Sequence, residues 1–382
     1  MTAICSSTTV LYIGKTANAL GGPGTFISNL ESVCQQHGRY RITEDPDCAD
    51  VYLIVAESVS IRCLWQFWRS DRPIIHRMDG KRTPIRTSLR QARVGHGVMG
   101  KLLYGLRLWR SHTRMMLRIW LALLIADGVI YQSVFVKRRW AVWETIRQAL
   151  PRRISTVITN GVPSTRLVGA VPERNRTPGL KRLTAVKGYF RTGEMVWAVI
   201  DQLTDPEFQA NAAALFPEYP LIIDVYGHIE GFEPVRGRLD AYKRLHGRPP
   251  HVWMHFHDLR PREDVHKALQ DPHTVGAMLL EDRPACPNAA FEAQSVGLPV
   301  IGSWDGANPE IVIFQELLLD PFQRSPQLFC VQLLKALKFC VDLPLHDRAD
   351  LQKLFRKAYG DNKFHEYLHF IDFVAKNKTV IQ

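Results

Sequence analysis

Residues 285–312 read "ACPNAAFEAQSVGLPVIGSWDGANPEIV", and the order of elements around this stretch decides the fold. Upstream, "TVGAMLLED" (274–282) is a short apolar run of the kind that forms a buried strand. "RPACP" is a loop, and "NAAFEAQSVG" is a helix over 288–297 with Asn288 at its N-cap. "LPVIGS" is the next strand, and "WDGANPEIV" is its exit turn and the start of another helix. Strand, helix and strand at this spacing make the repeating unit of a parallel sheet. The helix N-terminus offers unpaired N–H groups and a positive dipole end, a natural seat for phosphate. Glu292 lies one turn inside, where a carboxylate can accept hydrogen bonds from ribose hydroxyls. Pro287, Asn288, Ala289 and Glu292 together outline a nucleoside-diphosphate site.

The same alternation extends in both directions. "TTVLYIG" (8–14), "ADVYLIVA" (49–56), "RPIIHRMDG" (72–80), "ADGVIYQS" (126–133) and "ISTVITNGVP" (154–163) read as strands of a first series. "ALGGPG" (19–24) is a glycine turn, followed by a helix over 25–38. Residues 164–181 are rich in Pro, Gly, Arg and Thr without periodicity, the signature of a linker. A second series follows: "RLTAVKGYF", a helix to Leu203, "YPLIIDVYGH", "HVWMHFHDLR", the helix "PREDVHKALQ", and then the stretch quoted above. The expected domains are 1–163, with a basic helical insert at 81–125, and 182–325. Helices over 326–382 are expected to pack back towards the first domain. Two Rossmann-like parallel-sheet domains facing across a cleft follow from this α/β pattern, with ligands at the carboxyl ends of the strands.

Composition supports a globular chain of more than one domain, with 382 residues, 46% hydrophobic and 23% charged. Its seven cysteines form no CxxC pair and no metal-ligand spacing, which suits a reducing compartment. "MTAICSSTTVLYIG" lacks the charged start and long apolar run of a signal peptide, and "IWLALLIA" (119–126) is too short to span a bilayer. The expectation is a cytoplasmic protein. The formal net charge is +12, yet residues 81–153 hold 16 Lys or Arg against Asp127 and Glu144, a local +14. Arg107, Arg110, Arg114 and Arg118 recur every three or four residues among Leu106, Leu108, Trp109, Met115, Met116, Leu117 and Trp120. Such a basic amphipathic helix is either a solvated packing helix or a surface for an anionic membrane or lipid-phosphate acceptor. Neither zinc-finger spacing nor an RNA-recognition aromatic motif is present, which argues against nucleic acid.

The 285–312 stretch resembles the donor-binding core of glycosyltransferase family 4, retaining enzymes of the GT-B fold, with its pattern of "CPN", "EA", "GLPVI" and "PEIV". "GGPGTFISNL", "IIHRMDG", "ADGVIYQS", "VITNGVP", "IDVYGH" and "HFHDLRPREDVHKAL" match further landmarks in the same order, so the resemblance covers nearly the whole chain. It implies a metal-independent retaining hexosyl transfer from a nucleotide-diphosphate sugar to a hydroxyl acceptor, with no cofactor, in cell-surface polysaccharide or glycoconjugate synthesis. Glu292 then binds the ribose. The family's second glutamate, eight positions earlier, is replaced here by Pro284, with Glu281 and Asp282 slightly upstream. The phosphate-holding cations of the family align with Tyr189 and Glu194, leaving Lys187 and Arg191 as substitutes, Arg191 the better placed because it follows the strand end.

Four other features complete the candidate set. Gly21, Gly22 and Gly24 let a backbone approach a ligand closely, and "GGPG" does not satisfy the GxGxxG pattern of dinucleotide enzymes. His76 and Asp79 end an apolar strand on the acceptor side, and His76 joins Arg191 and Glu292 as a catalytic candidate. "DPD" (45–47) precedes a strand instead of ending one and reads as a loop. His228, His255 and His257 lack the spacing of a zinc site and read as strand polar faces, so no metal is expected. Two classes of function stay open: a sugar transferase, or a nucleotide-sugar-binding protein that has lost turnover.

Overall fold

The computed structural model describes residues 8–14, 22–56, 58–78, 98–150, 153–163, 180–191, 193–230, 233–246, 250–282, 284–322 and 325–379. It divides into two compact units, Met1–Asn160 with Lys363–Gln382, and Gly161–Asn362.

Unit 1 is built on a six-stranded sheet in the order β2-β1-β3-β4-β5-β6. Its strands are β1 (Thr9–Ile13), β2 (Tyr40–Thr43), β3 (Val51–Val55), β4 (Ile74–Met78), β5 (Gly128–Tyr131) and β6 (Ile154–Val157), all paired in parallel. β3, β4 and β5 are buried along their whole length, as strands covered on both faces are. The helices of this unit are α1 (Gly22–His37), α2 (Ile61–Arg69), α3 (Val98–Ile125), α4 (Val134–Arg139) and α5 (Ala141–Gln148). Ser60 and Ser133 cap α2 and α4 by accepting from Cys63 N and Val136 N, each at 3.1 Å. The glycine turn expected over 19–24 ends sooner than the pattern suggests, because Gly22, Pro23 and Gly24 already form the first turn of α1. Proline is compatible with that position, where its missing N–H has no intrahelical acceptor.

Unit 2 has the order β12-β11-β10-β7-β8-β9. β7 (Lys181–Arg191) leads into α6 (Glu194–Leu203) and α7 (Pro206–Leu215), then β8 (Leu221–Glu230), α8 (Glu233–His246) and β9 (Val252–Phe256). After α9 (Arg262–Gln270) come β10 (Thr274–Met278), α10 (Asn288–Ser295), β11 (Val300–Ser303), α11 (Asn308–Ile311) and β12 (Leu318–Leu319). The core on one side of this sheet takes Leu183, Ala185, Ile223, Val225 and Met254 from the strands, against Met195, Val199, Phe208 and Leu333. The chain order reverses between β7 and β10, and in an open parallel sheet that switch point is where the carboxyl ends leave room for a ligand.

Three helices close the chain: α12 (Pro326–Asp342), α13 (Leu345–Tyr359) and α14 (Asp361–Thr379). They do not act as one block, as the sequence reading of 326–382 expects. α12 and α13 belong to unit 2, while α14 from Lys363 onward belongs to unit 1. There Phe364, Tyr367, Leu368, Ile371 and Val374 fill the same core as Phe26, Ile75 and Ile130. Arg77 is buried in that core, its Nη2 donating to Asn160 Oδ1 at 2.6 Å and its guanidinium lying 3.7 Å from the Phe26 ring centroid. This accounts for the asparagine of "VITNGVP": a carboxamide oxygen partners a guanidinium that the core has taken out of water.

Candidate functional site

β10 ends at Met278, and Leu279 and Leu280 continue it as a buried extended segment that delivers Asp282 to the carboxyl end of the sheet. The Asp282 carboxylate accepts from the backbone N–H of Glu194 at 2.7 Å and of Met195 at 2.9 Å, so it caps α6. Gly193 is the N-cap residue of α6, and a Cβ built on it would overlap Asp282 Oδ2. Asp282 is therefore committed to the helix. Its position also places a carboxylate at the anion-attracting end of α6. We expect Gly193→Ala to cost unit 2 about 2–4 kcal/mol, the sum of a lost cap and a steric overlap. Asp282→Ala should cost about 1 kcal/mol. In the Asp282→Ala background the glycine substitution should cost distinctly less, and additive effects in urea denaturation would refute the contact.

From Asp282 the chain reaches α10 through a tethered loop, where Ala307 N donates to the Pro284 carbonyl at 2.7 Å. α10 starts at Asn288 with Pro287 as its N-cap residue, one position earlier than expected, and no side chain at the N-cap bonds to it. Gly297, with φ of +77°, turns the chain from α10 into β11 in a conformation that favours glycine. Further support comes from Gln294, whose Nε2 donates to the Ile311 carbonyl at 3.1 Å while Ile313 N donates to its Oε1 at 2.9 Å.

Glu292 sits one turn into α10, its side chain 12% exposed. Arg262, on α9, donates through Nη2 to Glu292 Oε1 at 2.5 Å, and His266 Nε2 lies 3.8 Å from the same oxygen. Burial alone would raise the carboxyl pKa, but the nearby His266 imidazole together with the charge and hydrogen bond of Arg262 outweigh it and hold it below the ordinary value. The group is thus an ionised acceptor at neutral pH with one oxygen fixed. The sequence reading missed Arg262 and His266; their i,i+4 spacing in "PREDVHKALQ" puts them on one helix face.

The remaining candidates are distributed as follows. His76 lies in the middle of β4 instead of ending the strand and is fully buried, its Nε2 3.0 Å from the Ala56 carbonyl. Its Nδ1 has no hydrogen-bond partner among the described residues. Arg191 is the last residue of β7, paired in register with Glu230, so it ends the strand where the sequence puts it just beyond. Lys187 falls at the register irregularity between Val186 and Tyr189 of β7. The side chains of Lys187 and Arg191 lie outside the described residues, as do Gly21 and Asp79. Gly22 opens α1. Asp45 and Asp47 belong to a short 3-10 turn in which Asp45 Oδ1 accepts from Asp47 N at 2.9 Å, a loop role as expected.

No protein-family model matches this sequence, and no curated protein does. The fold has relatives among solved structures. A sucrose-phosphate synthase from Thermosynechococcus elongatus superposes with a TM-score of 0.63 at 12% identity, over 95% of this chain and 98% of that one. The lipopolysaccharide outer core galactosyltransferase WaaB in its apo form gives 0.54 at 15% identity, over 96% of this chain and 99% of that one. A third, titled trehalose-6-phosphate from E. coli bound with UDP-2-fluoro glucose, gives 0.54 at 11% identity, over 92% of this chain and 77% of that one. The chain has the α/β fold of GT-B glycosyltransferases, two parallel-sheet units with C-terminal helices.

Proposed function

We propose that this chain is a retaining, family 4 glycosyltransferase that moves a sugar from a nucleotide-diphosphate sugar to a hydroxyl acceptor, in cell-surface polysaccharide or glycoconjugate synthesis. The observation that carries the reading is Glu292: an ionised carboxylate one turn inside α10, beside the β7–β10 switch point, oriented by Arg262. The donor diphosphate is assigned to the N-terminus of α10 at Pro287, Asn288 and Ala289, where the dipole favours anions. Arg191 or Lys187 offsets the charge that develops as the diphosphate leaves. The acceptor is assigned to unit 1, to Gly21, Gly22 and Asp79, with His76, which is buried, as a positioning residue. The acceptor hydroxyl attacks from the face the leaving group departs, which retains configuration without a protein nucleophile. Helix dipole and cation supply the electrostatic stabilisation, so the transfer needs no metal and no cofactor.

Basic helices support a peripheral contact with an anionic membrane at its cytoplasmic face. Among the described residues no helix is long and apolar enough to cross a membrane. α2, which the sequence reading did not single out, packs with α3 and exposes Ile61, Trp65 and Trp68 beside Arg62 and Arg69. α3 exposes Trp109, Leu117 and Leu124 beside Arg110 and Arg114, whereas Met115 and Met116 point into the core. Tryptophan among arginines is the composition of an interfacial surface.

One observation favours a second reading, a nucleotide-sugar-binding protein without turnover: Pro284 replaces the family's glutamate and Asp282 is held by α6. Incubation with a panel of sugar nucleotides separates the two. Product of retained anomeric configuration by NMR, formed in excess chelator, is the expected result; binding without turnover selects the second reading. An inverted product, or turnover abolished by chelator, overturns the chemistry. Liposome sedimentation should weaken as salt rises, and absence of binding at every salt concentration removes the membrane role.

A further inference from the structure

We propose that Asp224, His255 and His257 form a binding site for a divalent transition-metal ion of the zinc class, on the face of the unit 2 sheet opposite its main core. Side chains alternate across a strand, so burying Ile223 and Val225 of β8 and Met254 of β9 against that core leaves Asp224 and His255 on the other face. His257, just past the end of β9, continues that alternation. β8 and β9 run parallel with Asp224 in register with His255, which brings one carboxylate beside two imidazoles spaced i,i+2. Asp224 Oδ1 is 2.6 Å from His257 Nε2 and 3.4 Å from His255 Nδ1, and one ligand atom from each residue lies within 4.8 Å of the others.

The Asp224–His255 separation is that of two ligands on one metal ion, whereas Asp224 and His257 stand at hydrogen-bond distance. Ligand atoms at the corners of a tetrahedron with bonds of about 2.0–2.1 Å stand roughly 3.3 Å apart. The Asp224–His255 distance already matches, and the His257 ring has only to withdraw by a fraction of an ångström. Asp224 is itself positioned: Arg182 Nη1 donates to Oδ2 at 2.6 Å, which turns Oδ1 towards the imidazoles. Tyr226 stacks on the His257 ring with centroids 4.4 Å apart and planes 5° from parallel, fixing the ring. Partners of this kind, which orient the ligands without touching the ion, are what metal sites require. The carboxylate is buried at 3% exposed, while the His255 side chain is 56% exposed, so the site is formed at its base and open at its mouth. Two nitrogens and one oxygen select zinc and its neighbours over magnesium or calcium, which prefer oxygen alone. The fourth position is left to water. Asp224, Arg182 and Tyr226 also line a cavity of about 470 Å³ against α9, together with Lys267 and His273.

The sequence reading treats His255 and His257 as strand polar faces because it looks for a partner at short spacing. The third ligand is instead supplied across the sheet. None of these residues belongs to the donor site, so the proposal stands apart from the transfer chemistry, and turnover is not its readout.

The test is a zinc titration of the full chain, stripped with EDTA and exchanged into chelator-free buffer, followed by calorimetry and thermal denaturation. Thiols compete for zinc, and cysteines outside any disulfide, such as Cys48 and Cys286, are present. The decisive comparison is therefore with His255→Ala/His257→Ala and with Asp224→Asn, checked for native circular dichroism. Expected is one zinc per chain that raises the melting temperature of the wild type, with affinity lowered more than about 100-fold in the double variant, since loss of an orienting partner alone costs 10–100-fold. Cobalt in place of zinc should give a visible spectrum without thiolate charge-transfer bands. Unchanged affinity in either variant, a thiolate spectrum, or no zinc bound overturns the proposal and leaves an Asp224–His257 hydrogen bond only.

Discussion

Replacing Glu292 by alanine should weaken nucleoside-diphosphate binding by roughly 10- to 150-fold, because each charge-assisted hydrogen bond to the ribose contributes about 1.5–3 kcal/mol. The carboxylate is already desolvated and held by Arg262 at 2.5 Å, so little ordering is left to pay on binding. Arg262→Ala tests the same geometry from the other side. It leaves Glu292 in place but frees Oε1, and the expected loss in affinity is smaller than that of Glu292→Ala. A double variant should lose no more than Glu292→Ala alone, since Arg262 acts only through the carboxylate. Because the Glu292 carboxyl pKa is held below its ordinary value, protonation should not erode binding anywhere above about pH 5. The sign for stability follows the same depression. The pair's contribution is present above the unfolded-state value and is lost as pH falls through the lower folded value. Calorimetry with a nucleoside diphosphate measures all three variants, and unchanged affinity in Glu292→Ala removes the ribose assignment.

What the sequence made legible, and what it hid, divides along the range of the interactions. The strand–helix–strand order of 274–303 is local, written in apolar runs and a closing glycine, and the structure reproduces it with the first strand ending at Met278, the helix cap displaced from Asn288 to Pro287 and the helix ending at Ser295. Partners far along the chain were not legible. Arg262 stands 30 residues from Glu292, and Asp282 stands 88 residues from the amide it caps. No periodicity reports such pairs, because they are made when crossovers bring the carboxyl ends of β7 and β10 together. β2 is the simplest local miss: four residues, Tyr40–Thr43, with a single fully buried side chain, carry too weak a pattern. α2 fails differently. Its exposed face holds Ile61, Trp65 and Trp68, so hydrophobic spacing there does not mark the core. His76 shows the limit of reading a polar residue as a site. "IIHRM" looks like a strand that ends in polar groups, yet both His76 and Arg77 are buried, one bonded to a backbone carbonyl and the other to Asn160.

Acid should destabilise unit 1 through His76, and the effect should vanish in His76→Gln. Burial, reinforced by the Arg147 charge and opposed by the hydrogen bond to Ala56, lowers the imidazole pKa to about 4. The ring is therefore neutral at pH 7, with Nε2–H donating to the Ala56 carbonyl at 3.0 Å. In the unfolded chain the same histidine titrates near about 6.5. Between these two values the unfolded state binds a proton that the folded state does not, so stability rises with pH across this window and falls as the solution is acidified. The full difference is worth on the order of 3 kcal/mol at about 1.36 kcal/mol per pH unit. Below about pH 4 both states are protonated and this contribution stops changing. A glutamine amide can still donate to Ala56 but takes up no proton in this range, so the variant keeps the bond and loses the slope. Urea midpoints for both proteins at pH 7.5, 6, 5 and 4.5 measure it. Subtracting one series from the other cancels the carboxylates and the other histidines, Glu292 included. Parallel curves would mean that His76 is reachable by water in the folded chain.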